Sequence, residues 1–277
     1  MIQNDLHRNG IFGKKRAIRL RVEWRSWSTT RRIIGLMLFV TLPSTATAQD
    51  IHSILAQALQ AHVTGKPIQD VTAIGTITRS NGSPQAVTIS AKGPYEVRMD
   101  FPAEKRSVFY SGQQGWTLDS NGNTLAIQAN AAFHRPTIFP FLDLITEIEN
   151  AELQLIDGGT QTMGGHTVRR IILTLPDKTP NMRAFRRPLD ESLDLYIDTQ
   201  SYLILRSIRY RTSEKNLSLK VPSVLDFSDY RLVNGAQVPF RIVNTIGNST
   251  VGTTTSTLVL QMVNTNTGLT DSLFAPK

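Results

Sequence analysis

The chain has 277 residues, no cysteine, 40% apolar residues and a formal net charge of +8. Nine basic residues and only two acids fall in residues 1–48, so the remaining 229 residues carry twenty-one basic against twenty acidic groups. The bulk of the chain therefore lacks the electrostatic footprint that nucleic-acid binding requires. Without a thiol it can build no disulfide, no thiolate nucleophile and no cysteine-based metal site, and no cysteine-borne lipid anchor is expected.

The basic leader runs into a ten-residue apolar stretch at 33–42, followed by Pro43 and by Ala46-Thr47-Ala48. A charged region, a short apolar region and small residues before a cleavage point make residues 1–48 a predicted secretory signal peptide, cut after Ala48. The stretch is too short to span a bilayer core, which needs about 20 residues. Residues 49–277 are then a single exported domain, expected free in the periplasm. Arg31-Arg32 before the apolar run leaves both the general and the twin-arginine export routes open.

The mature part opens with Ile51, Ile54, Leu55, Ala58, Leu59 and His62 at helical spacing, stopped by Gly65 and Pro67. Beyond it the period becomes two: Tyr95, Val97, Met99 and Phe101 alternate with Glu96, Arg98 and Asp100, as a strand with one wet face requires. Similar runs fall near 71–79, 85–91, 106–110, 114–118, 166–175, 192–198, 202–212, 225–233, 236–246 and 255–263. Asn234-Gly235 is the clearest two-residue hairpin turn, and Asn81-Gly82, Asn121-Gly122, Gly158-Gly159 and Gly164-Gly165 suit turns as well. The series predicts a mainly β, α+β domain built on one large antiparallel sheet.

Residues 129–150 interrupt the strands with an apolar stripe that includes Ile138, Phe139, Phe141, Leu142, Ile145 and Ile148, and Pro140 suits a first helical turn there. A shorter segment at 179–188 reads as a helical turn or a loop. A transmembrane β-barrel is disfavoured by these two stretches, by an aromatic content of 7% and by the ending Ala275-Pro276-Lys277.

No residue constellation points to catalysis, and neither a cofactor nor a metal site is expected. His52, His62, His134 and His166 form no metal-ligand spacing and read as surface residues. Asp194 and Asp198 fall on the predicted wet side of a strand, and Asp226 and Asp229 have opposite strand parity. Neither pair makes the facing carboxylates of a glycosidase. Between His166 and Lys220 eleven basic residues stand against six acids, and Arg183, Arg186 and Arg187 are candidates for docking to anionic headgroups or an acidic partner.

The run Lys92-Gly93-Pro94-Tyr95-Glu96-Val97-Arg98-Met99-Asp100-Phe101-Pro102, with Ser111-Gly112 and Gly115-Trp116 after it, resembles a segment of the periplasmic lipoprotein-carrier superfamily, the LolA/LolB-like proteins with their LppX and RseB relatives. The opening helix, the lid-like stretch at 133–149 and the ending Asp271-Ser272-Leu273-Phe274 are similar in order and spacing. The resemblance implies an open half-barrel whose concave face is covered by an N-terminal helix and a lid helix. It further implies a non-catalytic carrier for a lipid or lipoprotein acyl chain, held between sheet and lid by Tyr95, Val97, Met99, Phe101, Trp116, Phe139, Phe141, Leu142 and Ile145. The alternative is a protein-interaction or envelope-sensor module on the same fold. Expected partners are a lipid or lipidated protein and an inner- or outer-membrane component, with the protein itself a monomer. The chain departs from the carriers at Gly93, which stands where they have an arginine.

Overall fold

The computed structural model describes residues 50–112, 114–127, 137–142, 154–174, 192–212, 220–250 and 252–276. The predicted opening helix is α1 (Ile51–His62), and its stripe of Ile54, Leu55, Ala58 and His62 is buried. It ends where Val63 turns to extended backbone and bridges Ala236.

Thirteen strands follow among the described residues: β1 (Asp70–Arg79), β2 (Gln85–Lys92), β3 (Glu96–Phe101), β4 (Arg106–Ser111), β5 (Gln114–Leu118), β6 (Thr124–Ile127), β7 (Gln154–Met163), β8 (His166–Thr174), β9 (Leu193–Asp198), β10 (Ile204–Thr212), β11 (Lys220–Val233), β12 (Ala236–Asn248) and β13 (Gly252–Thr265). They form one curved antiparallel sheet in the order β6-β5-β4-β3-β2-β1-β13-β12-β11-β10-β9-β8-β7, which does not close into a barrel. Consecutive strands pair all the way out from β1 to β6, and again from β7 to β13. The two series join where β1 pairs with β13.

This order has a direct consequence for what covers the sheet. The edges are β6 and β7, neighbours in sequence, so the chain between residues 127 and 154 connects one edge of the sheet to the other. Within that connection residues 138–142 are buried in the core, and Pro140 opens a helical turn over 140–142. Expectations for the rest of the lid helix, Ile145 included, and for the 179–188 segment, His134 and the signal peptide lie outside the described residues.

Residues directly opposite in an antiparallel pair share a face. The register thus places Val71 and Ala73, Ile89 and Ala91, and Val97 and Met99 together, and they pack in one core with Ile54 and Leu55 of α1 and with Phe139 and Phe141. That face is the concave one. The other face carries Ser90, Arg98, Phe109 and Trp116 in paired sequence across β2 to β5. The C-terminal segment lies against it: Arg98 donates to the Leu273 carbonyl at 3.1 Å, and Phe274 is fully buried.

Two strands escape the sequence reading, β6 and β7, and both are edges. An edge strand with solvent on several sides has little apolar alternation to show, and most of β7 is exposed. Gly158-Gly159 is not a hairpin turn but a bulge inside β7, where the register shifts between Asp157 and Thr160. Asn234-Gly235 and Gly164-Gly165 are turns as expected, the former with φ of 47° and 88°.

Candidate functional site

Residues 138–142 lie in the same hydrophobic core as the apolar sheet face. Phe139 and Phe141 are buried with ring centroids 6.0 Å apart, and Ile138 and Leu142 are buried beside them. Opposite them, Val97 and Phe101 are buried and Met99 packs against the same core from a half-buried position. Six of the expected cavity residues are therefore brought together: Val97, Met99, Phe101, Phe139, Phe141 and Leu142.

Tyr95 is placed differently. It belongs to the turn between β2 and β3, not to the strand, and is 50% exposed. Alternation cannot pull it inward, because the chain reverses at 93–95. It lines instead a groove of about 630 Å³ at the rim of the sheet, between the β2–β3 turn and the covering segment, with Ile68, Pro94, Phe141 and Leu142. Gly93 has φ of 53° in this turn, a left-handed conformation that glycine adopts without strain. The Lys92 ammonium contacts Asp271 of the C-terminal segment. Glu96, also in the groove wall, has its carboxyl pushed up by burial and by the nearby Asp271 charge, with Lys92 offsetting part of the effect.

Trp116 is a correction. It pairs with Phe109, which pairs with Arg98, so all three project from the convex face, opposite to Val97 and Met99. There the indole stacks on Phe109, with centroids 5.5 Å apart and planes 22° apart. Gly115, not Trp116, faces the interior. A side chain at 115 would collide with the ring of Tyr110, 2.8 Å from the Cβ position.

His62 is a second correction. It is not a surface residue but fully buried at the end of α1, edge-on to Tyr230 with ring centroids 5.7 Å apart. Neither ring nitrogen has a partner at hydrogen-bonding geometry. Desolvation lowers its pKa to about 4, an effect the Ala58 carbonyl only partly offsets. Burial pushes the Tyr230 phenol well above its usual range, and its hydroxyl donates to the Ile204 carbonyl at 2.6 Å. His52 is exposed, as expected.

The acids of β9 are also buried rather than solvated. Asp194 is 0% exposed and accepts from Arg170 Nε at 3.0 Å. Asp198 accepts from Ser201 Oγ at 2.7 Å and lies 3.5 Å from His166 Nδ1. Asp226 pairs with Arg206 and Asp229 with Arg231, so each carboxylate is bound to a cation of its own. Arg183, Arg186 and Arg187 lie outside the described residues. In the same basic stretch Arg169 pairs with Asp157, Arg170 with Asp194 and Arg206 with Asp226, so much of its described charge is balanced within the sheet.

No protein-family model matches this sequence, and no curated protein is similar to it. Solved structures are. An outer membrane lipoprotein-sorting protein domain from Vibrio parahaemolyticus superposes with a TM-score of 0.56 at 17% identity, over 79% of this chain and 94% of that one. A LolA superfamily protein from Nitrosomonas europaea gives 0.51 at 11% identity, over 82% and 98%. The fold is LolA-like. A DUF1329 family protein from Desulfovibrio piger superposes as well, with a TM-score of 0.54 at 14% identity over 81% of this chain and 95% of its own.

Proposed function

We propose that the mature protein, exported after cleavage behind Ala48, is a non-catalytic carrier or binding protein for a hydrophobic ligand, a lipid or a lipoprotein acyl chain. The observation that carries this reading is the cover. A segment joining the two open edges of the sheet inserts Phe139, Phe141 and Leu142 into a concave apolar face and leaves a groove at their side. Residues 138–142 belong to no strand and can give way to an acyl chain without breaking a strand pair. Each methylene buried in their place contributes roughly 0.8 kcal/mol. The groove between Tyr95 and Phe141 is the point of entry.

Because the Phe141 ring occupies space an acyl chain would take, its removal separates opening from binding. Phe141→Ala should destabilise the ligand-free protein by about 3–5 kcal/mol. Long-chain fatty acid should restore more of that stability in the variant than it adds to wild type. Thermal unfolding with and without oleate reads both effects, and oleate that stabilises neither protein would sink the carrier reading. Lipid extraction and mass spectrometry of protein taken from its native envelope complete the test, with an intact mass starting at Gln49. The filled interior also suits a second reading, an interaction or sensor module on the same fold. A lipid-free protein that retains a protein partner through the groove would favour it.

A further inference from the structure

The concave face is apolar along most of each strand, but at one end the register brings polar side chains onto it. Directly paired residues run from Arg79 in β1 through Ser256 in β13, Asn244 in β12 and Leu225 in β11 to Ser207 in β10. Ser223 lies diagonally across from Asn244, two residues along β11 from Leu225. The alternation that sends Phe240 and Ile242 into the core sends Asn244 the same way. Ser207 and Ser223 are buried, and the Oδ1 atom of Asn244 is buried with no hydrogen-bond partner.

A position that only fills a core is served better by an apolar side chain, and an amide oxygen buried without a donor is destabilising. Asn244 is therefore held at a cost to the ligand-free fold. The four polar members of the row, Asn244, Ser207, Ser223 and Ser256, are uncharged. Arg79, at the end of the row, has its guanidinium taken up by Gln85, 2.7 Å from Oε1, by Glu104 and by the face of the Phe101 ring, 5.7 Å from its centroid. Arg209, opposite Ser223, is engaged in an interaction of its own. A short run of hydroxyl and amide groups beside an apolar surface matches a neutral head that both donates and accepts hydrogen bonds.

We propose that Asn244, Ser207, Ser223 and Ser256 form a head-group subsite of the interior for a neutral, hydroxyl-bearing amphiphile of the acylglycerol class. Its chain lies on the adjoining apolar positions Phe227, Ile242 and Leu258. This rests on the reading of the interior as an acyl site.

The test compares two probes with the same chain, 1-monoolein, which carries two hydroxyls, and methyl oleate, which carries none. Wild type should bind monoolein about tenfold more tightly, the equivalent of one good hydrogen bond. Asn244→Leu, with the same number and branching of side-chain heavy atoms, should bring the two probes within about twofold of each other. It should also raise the melting temperature of the ligand-free protein by about 2–4 °C, the shift expected when an unsatisfied buried polar group is removed. Ser207→Ala, a smaller change, should reduce the preference severalfold on a fold that remains intact. Equal binding of the two probes by wild type would leave the acyl site standing and overturn the head subsite. So would a preference that survives both substitutions, or a lower melting temperature for Asn244→Leu, which would make the amide structural. Binding of neither probe would defeat the acyl reading and this one with it.

Discussion

At the scale of single residues, the side chains that sequence placed in water are the informative ones. His62 continues the buried stripe of α1 at positions 54, 55 and 58, so its spacing was legible, but a histidine carries no hydropathy signal that tells burial from exposure. Asp194 gives the opposite lesson. Its alternation correctly puts it off the core face, yet its burial depends on Arg170 of the neighbouring strand, a partner no local pattern shows. Burial of His62 has a pH consequence. Its pKa falls from 6.5 to about 4 on folding, so between those values the unfolded chain binds a proton that the folded chain refuses. Its contribution to stability is full above pH 6.5 and is lost as pH falls toward 4, amounting to about 3 kcal/mol. Urea unfolding of wild type and His62→Leu from pH 7 to pH 4 checks this. Wild type should lose about 3 kcal/mol more than the variant, and parallel curves would refute the assignment.

At the scale of elements, α1 is held where it ends. Thr64 donates its backbone N–H to the Gly235 carbonyl at 2.7 Å and its hydroxyl to the same oxygen at 3.1 Å, beside the bridge from Val63 to Ala236. The turn Asn234-Gly235 was readable because both residues tolerate positive φ. That the same glycine is the docking point of a helix was not, since the contact joins residues 171 positions apart. A Cβ at 235 would sit 2.3 Å from the Thr64 carbonyl oxygen, on top of the strain of φ at 88°. Gly235→Ala should therefore cost at least about 2 kcal/mol and speed hydrogen exchange along α1 selectively. A loss comparable to that of an ordinary surface substitution would show that the helix end has room to move. The covering segment was legible through Pro140 and its aromatic stripe. What no local pattern could give is that it joins the two edges of the sheet, because that follows from strand order alone.

At the scale of the whole molecule, the fold is locked by its two chain ends. Turn signals predict the walk from β1 to β5 and from β8 to β13, since each turn is local. The pairing of β1 with β13 joins residues nearly two hundred positions apart, and nothing in either strand announces the other. Asp70 marks that junction. Its Oδ1 accepts from the Thr267 amide at 2.6 Å and from the Thr267 hydroxyl at 2.7 Å, and its Oδ2 accepts from Gly268 N at 3.0 Å. Burial would raise this carboxyl, but the hydrogen bonds from Thr267, Gly268 and Leu269 outweigh it and hold the pKa below the ordinary value. The stabilisation is present above about pH 4 and is lost as the carboxyl protonates at lower pH. Asp70→Asn keeps the shape and removes both the charge and one acceptor. It should cost about 1–3 kcal/mol at pH 7, the range for hydrogen bonds to a charged group, and the gap to wild type should close on acidification. The chain that follows β13 also carries Phe274 onto the convex face, so the variant should be cut first near its C-terminus in limited proteolysis. An Asp70→Asn protein with unchanged unfolding and an uncut tail would mean that the β1–β13 ladder alone holds the two ends together.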